Sequence, residues 1–282
     1  MAEKVLTMED DWGAKGAQAT GAQVQKFLKD QIKSLHDKDV ALQNQVDTLS
    51  NNQLEANPQL QAATDGCFVT YHRKSDNWLL AVPYWKWANL EAAGEVADGV
   101  LVLIDGQAPI IVSPTGTQLK WSKNAIAVNA DTGGDHNKAY VDYSGKTRTA
   151  AIMAKGVELF GEEEETWIQF APAWCNAYDR SYINDDNETV GIGAGQWWLP
   201  SIAELITIWK HKYAINLCLS VISGASPLVE SWHWSSTEYS ASTAWTLTLR
   251  DGSLFDWGTK ATNSLCVRAV AAFQQIAFFA NR

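Results

Sequence analysis

The sequence predicts an α+β protein, with one long helix toward the N-terminus followed by a globular unit of short strands and two or three helices. Three observations carry that prediction. Leu28, Leu35, Leu42 and Leu49 recur every seven residues, and Ile32, Asp39 and Val46 follow the first three of them at a four-residue step. Near the other end, Trp245-Thr-Leu-Thr-Leu-Arg250 alternates apolar and polar residues, the period of a strand, and runs into the turn signal Asp251-Gly252. Between them, Ser201-Ile-Ala-Glu204 has the spacing of a capping box and opens a helix whose apolar face is Ile202, Leu205, Ile206 and Trp209.

In the N-terminal part, residues 1–22 mix acidic residues with Gly and Ala and are weakly specified. Trp12 in Asp-Asp-Trp-Gly reads either as a docking point for another protein or as part of an unstructured segment. From 24 to 57 the Leu positions become d and Ile32, Asp39 and Val46 become a of a heptad, on a helix roughly 50 Å long. The alternative is an amphipathic helix packed on its own domain. The strict 3.5-residue seam, with Gln and Asn elsewhere, favours a coiled-coil stalk over 23–58, ended by Pro58. Ile or Val at a with Leu at d suits two strands, and Asp39 at an a position costs stability while fixing register. A homo-oligomer follows.

The globular part opens over 59–92 with strands at Cys67–Tyr71 and Trp78–Val82, split by the polar turn Arg73–Asn77. A separate domain is expected over 93–282. Gly99–Ile104 is a fully apolar strand, Asp105-Gly106 turns the chain, and Ile110–Val112 is its hairpin mate. Residues 129–148, rich in Gly, Asp, Asn and Lys, read as surface loop. A helix over Glu165–Arg180 places Trp167, Phe170, Trp174 and Tyr178 at spacings of three and four, with Pro172 either kinking it or marking its start. Ile215–Ile222 reads as a further helix. The two-residue hairpin turn at Asp251-Gly252 leads into Leu254-Phe-Asp-Trp257, a mixed run suited to a contact surface.

Composition narrows the function. A net charge of −10 with no basic block leaves nothing to neutralise phosphates, so nucleic acid is not a partner. Fourteen Trp residues are enough to hold a loop-rich domain together, since each aromatic buries roughly 150–250 Å². The four Cys (67, 175, 218, 266) lack metal-type spacing and read as free buried thiols, with one disulfide left open. Met1–Asp11 has no apolar signal core and no run of 18 apolar residues occurs, so no membrane insertion is expected and synthesis is cytoplasmic.

A resemblance emerges from motifs rather than composition. Gly195-Gln-Trp-Trp-Leu-Pro-Ser-Ile-Ala-Glu-Leu205, followed by Trp234-Ser-Ser-Thr-Glu238, Ala244-Trp245, Gly252, Lys260 and Val267-Arg-Ala-Val270, resembles the bacterial and phage branch of the C-type lectin fold. Gly99-Val100, Trp121 and Gly145-Lys-Thr-Arg-Thr149 look like earlier landmarks of that group, so the resemblance spans roughly residues 93–273. It implies a C-type lectin-like fold with two helices and an irregular sheet. Within that branch the arrangement is most similar to the variable proteins of diversity-generating retroelements, found in phage receptor-binding tips and gut Bacteroidales prophages. Carried over by position, Trp234 to Glu238, Trp245, Gly252, Arg268 and Val270 would be scaffold. Candidate variable contacts would be His233, Tyr239, Ser240, Ser242, Thr246, Thr248, Arg250, Asp251, Phe255, Asp256, Trp257, Thr259 and Asn263. The resemblance further implies a virion tail or bacterial surface location and a host cell-surface protein or glycan as ligand. It also implies a homotrimer as in tail fibres, and other tail proteins meeting the N-terminus.

Other chemistry finds little support. The Glu-Pro-Asn and Trp-Asn-Asp patterns of calcium-dependent sugar binding are missing. Asn184-Asp-Asp-Asn-Glu188 could offer oxygen ligands to Ca²⁺, but clustered loop acids are more often solvated. The five His lack metal spacing, no Gly-x-Ser-x-Gly elbow occurs, and Gly191-Ile-Gly-Ala-Gly195 lacks the preceding strand of a phosphate loop. A binding protein without cofactor is therefore expected, with a lectin-fold enzyme or a purely structural fibre subunit as the rivals. Arg268 is expected to pair with Glu238.

Overall fold

The computed structural model describes residues 29–35, 38, 66–104, 107–128, 132–160 and 169–273, with main chain alone at 159, 160 and 257. The chain divides into two units, Met1–Ala56 and Asn57–Arg282. In the first, residues 29–35 and 38 are helical and exposed. The consecutive a and d residues Ile32 and Leu35 stand 65% and 66% exposed. The remaining seam positions Leu28, Asp39, Leu42, Val46 and Leu49, together with all of 1–22, lie outside the described residues.

The second unit is built on a mixed sheet of nine strands among the described residues. In chain order the elements begin with β1 (Gly66–His72), β2 (Leu79–Val82), α1 (Tyr84–Ala92), β3 (Ala97–Leu103) and β4 (Ile110–Leu119). The helices α2 (His136–Tyr140), α3 (Gly145–Phe160) and α4 (Ala171–Ala177) follow. Then come β5 (Tyr182–Ile183), β6 (Thr189–Val190), β7 (Trp197–Trp198), α5 (Ile202–Lys210) and α6 (Lys212–Leu219). The chain closes with β8 (Trp232–Glu238), β9 (Thr243–Thr248), β10 (Leu254–Thr259) and β11 (Leu265–Ala272). The sheet order is β10-β9-β8-β11-β4-β3-β1-β2, with β7 also paired to β11 and β5-β6 forming a separate ribbon. Fold class is thus α+β.

β1 pairs antiparallel with β2 across the expected Arg73–Asn77 turn, and β3 with β4, whose expected turn at Asp105-Gly106 lies outside the described residues. β1 also pairs with β3 from Gly66↔Leu103 to Tyr71↔Ala97. β1 and β2 are thus strands of the same nine-stranded sheet as β3 and β4. Gly99 explains the close β3–β4 approach, because a Cβ there would run into the Val112 carbonyl.

Among the helices, α5 has the expected capping box, with Ser201 Oγ accepting from Glu204 N and the Glu204 carboxylate accepting from Ser201 N. α4 starts at Ala171 with Pro172 in its first turn, where a missing N–H costs nothing. The expected start at Glu165 and Trp167 lie outside the described residues. The stretch 129–148 departs from its surface-loop reading: His136–Tyr140 and the beginning of the 16-residue α3 fall inside it. The buried positions of α3 are Gly145, Arg148, Thr149, Ile152 and Gly156, helically spaced but half polar, so hydrophobic periodicity does not register them.

The core is aromatic. Trp87, Trp121, Trp197, Trp234 and Trp245 are fully buried, and four of their indoles find acceptors. Trp121 Nε1 donates to Ser235 O (2.8 Å), Trp234 Nε1 to Leu119 O (2.9 Å), Trp245 Nε1 to Gly133 O (3.1 Å) and Trp197 Nε1 to Ile192 O (3.2 Å). Three of these bonds tie an irregular segment to the sheet and the Trp234 bond joins β8 to β4, so the Trp content stiffens loops as well as filling volume. All four Cys are free.

Candidate ligand-contact surface

Three motif segments distant in sequence meet beneath β8. Thr237 Oγ1 donates to Asp142 Oδ2 (2.5 Å) and accepts from Ile202 N (3.0 Å). Arg148 Nε lies 2.8 Å from Asp142 Oδ2, joining α3 to the same carboxylate. Thr149 Oγ1 bonds both the N–H and the carbonyl of Leu199 (3.1 and 3.3 Å). Glu204 accepts from Trp198 Nε1 (3.1 Å) and Ser201 N (2.7 Å), and burial pushes its carboxyl up to about 7. Gly145 fits here because a Cβ would strike Glu204. The Gly145–Thr149, Trp197–Glu204 and Trp234–Glu238 stretches are thus one buried polar network. Its exception is Ser236, whose Oγ has no partner among the described residues.

Glu238 is engaged by Lys260, not by Arg268 as expected. Lys260 Nζ lies 2.5 Å from Glu238 Oε1 and also donates to Ile126 O (2.7 Å) and Ser240 O (2.9 Å). Burial pulls the lysine below its usual range even beside a carboxylate. Arg268 instead donates to three carbonyls, Ser113 (3.0 Å), Ser226 (3.1 Å) and Pro227 (2.9 Å), and burial brings it down to about 10, still charged at neutral pH.

The candidate contacts divide between the two ends of the β8-β9-β10 ladder. At one end, the β8–β9 turn carries Tyr239, Ser240 and exposed Ser242, closed by Ser240 Oγ···Thr243 Oγ1 (2.8 Å). Thr259, paired with Thr243, lies at that end too, and Asn263 Oδ1 accepts its N–H (2.7 Å). At the other end, the β9–β10 loop carries exposed Arg250 and Asp251, linked by Arg250 Nη2–Asp251 Oδ2 (3.1 Å). The Ser253 N–H and hydroxyl, with Arg250, hold Asp251 down to about 2. Phe255 sits mid-ladder, 38% exposed, edge-on to Trp232 at 4.7 Å. Asp256 is half-buried and the Trp257 side chain is outside the description.

Three candidates offer no surface to a ligand. His233 is 2% exposed, its Nδ1 bonded to Ser231 O (2.9 Å), and burial pulls it down to about 4. Thr246 and Thr248 are 2% and 3% exposed. Their hydroxyls serve the main chain, Thr246 donating to Phe255 O (3.2 Å) and Thr248 accepting from Arg250 N (3.3 Å). From Ala244 to Thr248 every residue of β9 is buried, so the strand has no open face. The turn also differs: the connection is the five-residue stretch 249–253, with Leu249 fully buried and Gly252 alone at positive φ (+79°).

Lys260 below the turn and Trp209 with Lys212 below the loop hold these ends; the sequence marks Lys260 as a motif position and Trp209 as a helix-face residue but gives none of the three this role. The 184–188 stretch is held by its own Asn184 and by Lys74, whose carbonyl accepts from Asn184 Nδ2 (2.7 Å) and whose Nζ lies 3.4 Å from Asp185 Oδ2. Asn184 Oδ1 accepts from Asp186 N (3.1 Å) and Glu188 N (2.8 Å). Among the described residues no group of three His, Cys, Asp or Glu is placed to hold a metal ion.

Comparison with known proteins adds little. No protein family matches the chain, and neither does any curated protein. Among solved structures, a fimbrial protein from Bacteroides ovatus is similar at 16% identity and a TM-score of 0.41. The match covers 58% of this chain and 35% of that one, so this chain spans about a third of its length.

Proposed function

We propose that the chain is a non-catalytic recognition protein, a homo-oligomer presenting the β9–β10 loop and neighbouring side chains to a host cell-surface protein or glycan. In this reading the globular unit is C-type lectin-like, of the kind found in variable proteins of diversity-generating retroelements. The stalk oligomerises, and the N-terminus attaches to a virion tail or a bacterial surface. The observation that carries the reading is the contrast at the loop: Arg250, Asp251 and Ser253 face solvent while the main chain that bears them is anchored to the buried body. A rigid support beneath adaptable side chains is what a recognition surface requires. Oligomeric display would raise weak single-site affinity through multivalency.

The gene itself provides the test. A nearby near-copy differing at the codons for Arg250, Asp251, Phe255 and Asn263 only where the copy has adenine is the expected result. Its absence would remove the diversification reading. Whole-cell binding with the oligomer is the second arm: Phe255→Ala and Arg250→Ala should each weaken it without unfolding the chain, and unchanged binding in both would discard the surface.

A further inference from the structure

The β9–β10 loop is held by a side chain from outside it. Lys212, the first residue of α6, is 5% exposed. Its Nζ donates to Leu249 O (2.7 Å), Arg250 O (2.8 Å) and Glu230 Oε1 (2.6 Å). An ammonium has three donors, so this one is fully engaged, two of them on loop main chain. On the other side of the bend, Gly252 lies against the Trp209 indole so closely that any Cβ would collide with the ring. Leu249 N donates to Ser231 O (3.1 Å), and Gly252 N to Thr248 O (2.9 Å). The side chains of the exposed residues add one bond to the main chain, from Ser253 N to Asp251 Oδ1 (3.0 Å), out in solvent. The same ammonium stands 5.0 Å from the ring centroid of Tyr213, which is 77% exposed beside it.

We propose that Lys212 is the positioning residue of the contact surface, setting the main-chain path of 249–253 from outside so that residues 250, 251 and 253 determine specificity without determining shape. A carbonyl is present whatever side chain its residue carries, so a cation bound to two carbonyls places no demand on loop sequence. Lys212 also seats Tyr213 beside the loop, by a cation–π contact, as a further contact residue. The inference rests on the loop being a contact surface, but its test uses no ligand, so its failure would leave the binding reading standing.

The experiment is residue-resolved amide hydrogen exchange on the full chain. It compares the triple variant Arg250→Ser, Asp251→Ser, Ser253→Ala with Lys212→Met and Lys212→Arg. The triple variant should leave protection of the Leu249 and Gly252 amides within about threefold of the parent, because the buried anchors remain. Lys212→Met should speed exchange at those two amides by about tenfold or more while β11 amides stay unchanged, and Lys212→Arg should restore part of the protection. Loss of protection in the triple variant, with Lys212 intact, would overturn the proposal, as would full protection in Lys212→Met. Should Lys212→Met unfold the whole chain, the triple variant alone decides.

Discussion

Lys260 and Glu238 form an ion pair with both side chains wholly buried, Nζ to Oε1 at 2.5 Å, and the ammonium also lies 4.3 Å from the Trp121 ring centroid. Desolvation lowers the lysine despite its partner, so the pair supplies geometry more than surplus stability. It joins β8, the β8–β9 turn and the β4–α2 connection at one point. Lys260→Met strands Glu238 without its counter-charge and should destabilise by about 3–5 kcal/mol. Adding Glu238→Gln should recover part of that loss. Urea denaturation of the two singles and the double checks this, and strictly additive costs would contradict the coupling.

The pH dependence of stability should hide two opposed slopes. Glu204 titrates near 4.5 unfolded and about 7 folded. Between those values the folded chain keeps a proton that the unfolded chain has released, so stability falls as pH rises, by ~3 kcal/mol. His233 titrates near 6.5 unfolded and about 4 folded. Across that window the unfolded chain binds a proton the folded one excludes, so stability rises with pH by ~3 kcal/mol. The two nearly cancel between pH 4.5 and 6.5. Glu204→Gln should unmask the His233 rise, and His233→Gln the Glu204 fall, in denaturation curves at pH 4.5, 5.5, 6.5 and 7.5. If both variants track the parent at every pH, neither group is buried as described.

Gly252→Ala tests the loop from its other side. It meets two penalties, a left-handed φ of +79° and the Trp209 ring where a Cβ would go. The backbone strain alone costs about 1 kcal/mol and the overlap should add about 1–3 kcal/mol. Combining it with Trp209→Ala removes the collision but opens a cavity, so the pair should be non-additive. A thermal midpoint unchanged from the parent would show that the ring and the loop are not in contact.

Much of this fold was legible, and the illegible parts share a cause. β1 to β4 follow apolar runs and turn residues, and α5 follows its capping box, because each signal is local and apolar or stereochemical. The inward stripe of α3 is carried by Arg148 and Thr149, buried through hydrogen bonds that sequence periodicity does not register. Thr246 and Thr248 are buried, because a period of two separates faces without saying which face is open. Asp251-Gly252 marks a turn, but the connection runs five residues, 249–253, and includes fully buried Leu249. Lys212 is the clearest omission, and Lys260, though a motif position, carries no sign of its burial: a lysine's role inside is not readable until the carbonyls that surround it are known.

The stalk prediction depends on Ile32 and Leu35, successive a and d positions exposed by two-thirds of their area in the single chain. Side chains of this size and spacing are stable in water as isolated singles, but four heptads of them seek a partner helix. If that partner is a second and third copy of the chain, Ile32→Asp with Leu35→Asp should place charges in the seam and dissociate the oligomer. The globular unit, with its own core, should keep its near-ultraviolet tryptophan signal. Analytical ultracentrifugation then separates the outcomes: a shift from trimer or dimer mass to monomer with unchanged tertiary signal is expected. A parent chain already monomeric at micromolar concentration would refute the stalk and remove multivalent display from the proposed function.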